Sequence, residues 1–183
     1  MKMKNLILSS IIFFCVITGF TQEKDEVFKL SNAVVVAQQD KSEDRYSLEI
    51  NVLQLLADKG IKTMASLNLV KQGGSSAILA ADSIQLKVKK AGIDTYMLIS
   101  VRGYDKRFKP SEKLLSLSEE LSVGHLFPLY REEVTSVTFT VTFYRNNEPV
   151  YCELIKTGNV GSREAVIKKL IKKLDKRLLK SWL

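Results

Sequence analysis

Between Val137 and Phe143 the chain alternates without a break, with Val137, Phe139, Val141 and Phe143 on one side and Thr138, Thr140 and Thr142 on the other. A period of two belongs to a strand with one face in a core and one in water, and it predicts a strand over residues 134–144. Arg145-Asn146-Asn147-Glu148 supply a turn, and residues 150–157 return antiparallel. Residues 93–101 follow another rule. They are apolar on both alternations, Tyr96 and Leu98 against Met97 and Ile99, interrupted only by Asp94, Thr95 and Ser100. Such a run predicts a strand covered on both faces, as parallel strands are, and places it at the centre of the sheet.

Upstream, Ala77, Ala81, Ile84, Val88 and Ala91 recur at spacings of four and three, which predicts a helix from Ala77 to Gly92. Lys87, Lys89 and Lys90 suit the negative end of its dipole, and Gly92 supplies the left-handed residue that closes it. Residues 27–37, with Val34, Val35 and Val36 at their heart, read as the first strand. A turn over 38–44 offers Ser42 as an N-cap, and a helix runs on to Asp58 with Gly60 just past its end. That helix carries two apolar stripes, Tyr46/Ile50/Leu53/Ala57 and Leu48/Val52/Leu55, which call for cover on more than one side. Residues 61–70 read as a second strand. The serine-rich stretch 111–133 holds Gly124 and Pro128 and predicts a short helix and an irregular connection. Ser162 caps a last helix whose apolar face is Ile167, Leu170, Ile171, Leu174, Leu178 and Trp182. The whole predicts a single α/β domain, a mixed sheet with a parallel βαβαβ core followed by an antiparallel hairpin and a C-terminal amphipathic helix.

The amino terminus changes the compartment. Lys2, Lys4, the apolar run 6–20 and Gly19-Phe20-Thr21 before Gln22 form a secretory signal, with the cut expected after Thr21. That makes 1–21 a signal peptide and 22–183 the folded domain, exported and either periplasmic or outer-membrane associated. The run is short for a bilayer span, which takes about 20 residues. Cys15 invites a lipid anchor, but Phe14 stands where lipid attachment wants a small residue. Past the cut, Cys152 is the only cysteine, so no intramolecular disulfide is expected; on a strand beside Val150 and Leu154 it reads as a buried, inert thiol.

Charge is unevenly spread. The chain carries a formal net charge of +8, of which Lys2 and Lys4 belong to the leader. Residues 22–161 hold 18 basic and 18 acidic side chains, whereas 162–183 hold 8 basic and 2 acidic. The excess of the mature chain is therefore one helix. Either its apolar face packs on the sheet and leaves the lysines in solvent, or the helix makes peripheral contact with an anionic membrane. Export argues against nucleic acid as the partner.

The stretch VFKLSNAVVVAQQDKSEDRYSLEINVLQLLADKGIKTMAS, followed by the helix ending KKAGIDTYMLISV, resembles a family of small bacterial envelope proteins, many of them lipoproteins. The shared pattern falls here on Arg45, Glu49, Leu56, Gly60, Ser66, Gly92 and Asp94. More distantly, the layout is similar to the α/β domains of the curli-secretion lipoprotein and the TolB amino-terminal domain. The resemblance implies an α/β fold and an envelope role and carries over no catalytic residue. The chain departs from it in lacking a lipid-attachment cysteine of the right context.

Few residues offer chemistry. Gly73-Gly74-Ser75-Ser76 before a helix could cradle an anion on backbone N–H groups, with Ser75 and Ser76 as contacts; the competing reading is a flexible turn with a serine cap. It lacks the lysine of a P-loop and the spacing of a dinucleotide fingerprint. His125 is the only histidine and has no soft ligands around it, so neither a metal, a cofactor nor a catalytic base is expected. Arg45 in the first helical turn opposes the dipole. It is read as pinned by Glu49, four residues on, in an exposed pair worth little, or as an anion contact at the end of the first strand. Gly92 and Asp94 are read as structural, Asp94 as a backbone-bonding cap. The expected function is a non-catalytic interaction module in envelope assembly or maintenance, with an envelope protein as partner. The alternative is a binding protein for a small anionic or lipidic ligand at the carboxyl edge of the parallel strands. A deep pocket near 38–45 and 71–76 favours the ligand; an exposed apolar patch on the first helix or along 111–133 favours the module.

Overall fold

The structure is a computed structural model that describes residues 28–70, 74–109, 111, 113–124 and 126–183. The leader, Cys15, Gly73 and His125 lie outside the described residues. Five strands, β1 (Asn32–Gln38), β2 (Lys62–Ala65), β3 (Thr95–Tyr104), β4 (Ser136–Arg145) and β5 (Glu148–Gly158), form one sheet in the order β2-β1-β3-β4-β5. β1 pairs parallel with β2 and β3, while β3–β4 and β4–β5 pair antiparallel. The mixed α/β architecture is the predicted one, with a parallel core, a hairpin and a terminal helix.

The helices cover both faces. On one side, α1 (Ser42–Asp58) and α4 (Arg163–Arg177) bury Leu48, Val52, Leu56, Leu170 and Leu174 against Val35, Met97, Phe139 and Phe143. On the other, α2 (Asp82–Lys90) and α3 (Leu117–Val123) bury Val88, Leu117 and Leu121 with Val34, Val36, Tyr96 and Leu98. β3 thus contributes Met97 and Ile99 to one core and Tyr96 and Leu98 to the other, which is why it is apolar on both alternations. Gly60 (φ +75°) and Gly92 (φ +71°) adopt the left-handed conformation that ends α1 and α2.

Several expectations need correction. β2 is shorter than the apolar run 61–70: after Ala65 the chain coils into a 3₁₀ turn, Ser66–Asn68. The helix expected from Ala77 begins at Asp82, because the Ser75 hydroxyl accepts from the Ala77 N–H and a 3₁₀ turn, Ser76–Ala80, forms first. Ala81 is extended and separates the two. Ser42 is already helical, and Lys41 stands at the cap without a side-chain bond. The β4 threonines are not in water: Thr138 and Thr142 are buried. β4 lies between two strands, and α3 brings Leu117 and Leu121 to the same side as Tyr144, so short hydroxyl side chains are covered. Ser162 does cap α4, its hydroxyl accepting from the Ala165 N–H at 3.2 Å.

The apolar face of α4, extended by Leu178 and Trp182, is buried, while Lys168, Lys172, Lys173, Lys176 and Lys180 are exposed. Among the described residues no helix is long and apolar enough to cross a membrane.

Leu98→Ala should lower unfolding free energy by about 2–5 kcal/mol in urea titration, as expected for a fully packed aliphatic side chain. A loss below about 1 kcal/mol would mean β3 is peripheral. Leu174→Asp should prevent folding, since it buries a charge without a partner, whereas Lys172→Glu with Lys173→Glu should shift stability by no more than about 0.5 kcal/mol. Thermal melts of both variants check this pair.

Candidate functional site

β1 leaves the sheet through Gln39 and Asp40 and enters α1 on one face; the connection after β3 carries α3 on the other. Neighbouring parallel strands whose connections part to opposite faces open a crevice beyond their carboxyl ends. A cavity of about 1040 Å³ occupies it. Gln39, Ser42, Arg45 and Tyr46 line one side, Leu121 and Ser122 of α3 another, and Ser75 and Ser76 a third. This is the place the sequence named for a pocket. Tyr46 and Leu126, which both line the cavity, are also exposed.

One wall hangs on a buried carboxylate. Glu49 is fully buried, and its Oε1 accepts from the Ala37 N–H (3.1 Å), the Arg45 Nε–H (3.2 Å) and the Ser66 hydroxyl (2.5 Å). Its Oε2 accepts from the Leu67 N–H (3.3 Å). A terminal nitrogen of Arg45 donates to Ser66 Oγ at 2.7 Å. The Arg45–Glu49 pair is real, but it is not the exposed pair expected from the sequence. Four donors on α1, β1 and the turn after β2 satisfy one carboxylate away from water, the condition under which such a group is tolerated. The structure brings together Arg45, Glu49 and Ser66 from the family-like pattern.

Both arginines on the wall are paired, and two carboxylates there are left without an ion pair among the described residues. Arg45 has Glu49, and Arg163, at the start of α4, bonds the carboxylate of Asp44 and the carbonyl of Glu43 (2.9 Å). Asp40 and Glu43 also line the cavity and have no ion pair among the described residues. α1 starts without a side-chain cap, so the N–H groups of its first turn are open to solvent or a ligand. Ser75 lends its oxygen to the Ala77 N–H, and Ser76 lines the cavity half-buried.

Two residues were not legible beforehand. Arg163 was hidden by its distance in sequence from Asp44. Gln39 stands next to Gln38, and nothing in the sequence separates them. Gln38 Nε2–H donates to the Glu120 carbonyl (3.2 Å) and its Oε1 accepts from the Ser100 hydroxyl (2.8 Å). Gln39 is just as buried, and neither of its amide atoms has a partner among the described residues.

The remaining candidates lie elsewhere. Asp94 and Gly92 sit at the amino end of β3, opposite the cavity; the Asp94 carboxylate accepts from the Thr95 hydroxyl at 2.7 Å and is not the backbone cap expected, because Asn32 Oδ1 takes the Asp94 and Thr95 N–H groups instead. Cys152 on β5 is half-buried; burial pushes its thiol up, against the opposing effect of the Thr142 hydroxyl that donates to its sulfur. Among the described residues no group of three or more His, Cys, Asp or Glu side chains could hold a metal.

No family model and no curated protein matches the chain. Among solved structures it is similar to lipoprotein GNA1162 from Neisseria meningitidis, at 12% identity over 84% of this chain and 99% of that one, with a TM-score of 0.45. It is also similar to PelC from Paraburkholderia phytofirmans, crystallised as a dodecamer, at 13% identity over 81% of this chain and 88% of that one, with a TM-score of 0.44. These are distant likenesses of layout, and no functional property passes from them to this chain.

Glu49→Ala should cost about 3–5 kcal/mol in urea unfolding, because it strands two backbone donors and the Arg45 charge. Arg45→Ala should cost less, about 1–3 kcal/mol, since three donors still hold the carboxylate. The reverse order would show that the arginine organises the site.

Proposed function

We propose that this chain acts after export as a non-catalytic binding module of the cell envelope, with the cavity at the carboxyl end of β1 as its site. The leader, with Lys2, Lys4 and the apolar run 6–20, supports the export part. The observation that carries the rest is the coincidence of cavity and exposed apolar rim: Tyr46 and Leu126 stand in water beside a cavity lined by Leu67, Val70 and Leu121. Apolar side chains at the mouth of a concave site are what a partner covers on binding. The two readings drawn from the sequence, interaction module and ligand-binding domain, thus converge on one place.

The lysine face of α4 favours a second contact, with anionic lipid. Its apolar face is committed to the core, so such contact is electrostatic, without insertion, and sensitive to salt.

Ser122→Trp tests the site. Ser122 is exposed on α3 and lines the cavity, so the indole should obstruct the cavity without touching either core. The melting midpoint should stay unchanged. Proteins and lipids captured from native envelope extract should fall at least about tenfold by mass spectrometry, a loss of about 1.4 kcal/mol or more. Equal capture by both forms would place the site elsewhere. Capture that survives Ser122→Trp but disappears with Lys172→Glu and Lys173→Glu, or at high salt, would transfer the function to α4.

A further inference from the structure

The strand order leaves β5 at an edge of the sheet. From Tyr151 to Gly158 it pairs in unbroken register with β4, Tyr151 opposite Phe143 and Gly158 opposite Ser136. In an antiparallel pair every second residue turns its N–H and C=O away from the partner. Among the described residues those outward groups of β5 meet no other main chain. Pro149 and the register shift beside it guard the start of the strand, but the regular stretch after them is a template for another strand.

The helix beside this edge sorts its charges between two flanks. Lys169 Nζ–H donates to the Gly158 carbonyl (2.8 Å) and to that of Asn159, and Arg177 pairs with Glu153 at 2.7 Å, so α4 runs back along β5. Lys173 lies between them at four-residue spacing, and Lys176 stands on the same flank, both exposed. The acidic residues of α4 are on the other flank: Glu164 lines a groove against α1, and Asp175 pairs with Lys59 at 2.8 Å. Glu153, on the β5 side, has its oxygens taken by Arg177 and Tyr151. The flank above the open edge is therefore cationic. We infer that the β5 edge takes a sixth strand, an extended segment of a partner protein with carboxylates at alternate positions. This site is separate from the cavity.

The spacings select that chemistry. Alternate residues of a strand recur about every 6.7 Å on one face. Residues four apart on a helix recur about every 6 Å along its axis. Alternate side chains of an added strand thus fall in step with Lys169, Lys173 and Arg177. On the opposite face β5 presents half-buried Cys152 and Leu154, which suit apolar side chains at the positions between. A second copy is the wrong occupant, because joining two β5 edges about a twofold sets both lysine flanks on one side of the sheet, facing each other. A lipid surface meets exposed lysines but offers β5 no main chain. Strand addition satisfies backbone and charge together.

The test uses the mature chain, residues 22–183, isotopically labelled for NMR. The probes are a blocked octapeptide alternating glutamate and valine, the same residues with all glutamates before all valines, the alternating peptide methylated on its main-chain nitrogens, and phosphatidylglycerol vesicles. The alternating peptide should slow hydrogen exchange at every second amide from Tyr151 to Gly158. It should bind at least about tenfold tighter than the rearranged or the methylated peptide. Lys173→Glu with Lys176→Glu should weaken it at least about tenfold at an unchanged melting midpoint, whereas Lys168→Glu with Lys172→Glu, on the far flank, should leave it nearly as tight. Outward amides that exchange slowly before any peptide is added would show the edge occupied by the chain itself, and the inference would fail. Equal binding of the methylated or rearranged peptide would reduce the contact to charge alone and remove the strand. Vesicle binding without protection of β5 by the peptide would assign the flank to lipid. Peptide shifts at Ser42 and Leu121 in place of β5, or no protection up to about 1 mM peptide, would equally overturn it.

Discussion

A parallel ladder that stops halfway leaves donors facing nothing, and the fold of this chain turns on how that problem is met. β1 and β2 run in register up to Val35 opposite Ala65. Two residues further the register would set Ala37 opposite Leu67, but β2 has ended. The backbone N–H groups of both residues instead reach the carboxylate of Glu49, one oxygen each. A side chain from α1 thus replaces a rung of the sheet. Because that carboxylate is wholly buried, it holds only while its donors surround it, which fixes α1, β1 and the turn at Ser66 relative to one another.

The cavity follows from that replacement. Where the rung is made by a side chain, the chain after Ala65 no longer lies along β1 and curls away as a 3₁₀ turn, taking Leu67 and Val70 to the cavity wall. On the far side, the departure of α3 to the opposite face leaves Leu121 and Ser122 across the gap. The tie between Arg163 and Asp44 closes a further side by anchoring the start of α4 to the start of α1. The cavity is an outcome of strand ends and helix directions, and its polar groups are those that this geometry leaves over.

Much of the architecture was legible because burial leaves a period behind. β3 reads as central since it feeds two cores, and the α4 stripe from Ile167 to Trp182 reads as buried since one helical face is apolar throughout. The ends of elements were less legible. Apolar residues continue past Ala65 to Val70, and no periodicity says that a carboxylate 17 positions before Ser66 will capture it and divert the strand. Arg45 and Glu49 could be paired from their spacing, but their burial depends on β1 and the Ser66 turn closing over them. The rim could be guessed from Gln38 to Arg45, whereas the difference between Gln38 and Gln39 could not. It depends on Ser100 and Glu120, more than sixty residues away, arriving beside one amide and not the other.

That difference separates two kinds of polar burial. Glu49 and Gln38 are polar groups the fold uses: each side-chain oxygen and nitrogen they present has a partner. Gln39 is polar at similar depth; its main chain bridges to Phe127, while its amide atoms have no partner among the described residues. Local consistency is the usual mark of a sequence that specifies its fold, and departures from it gather where a protein does something other than fold. Here such departures are spread through the fold: Tyr96, Thr138 and Trp182 also hold buried polar atoms without a partner among the described residues. What distinguishes the cavity is its position, beyond the carboxyl ends of two parallel strands whose connections part to opposite faces.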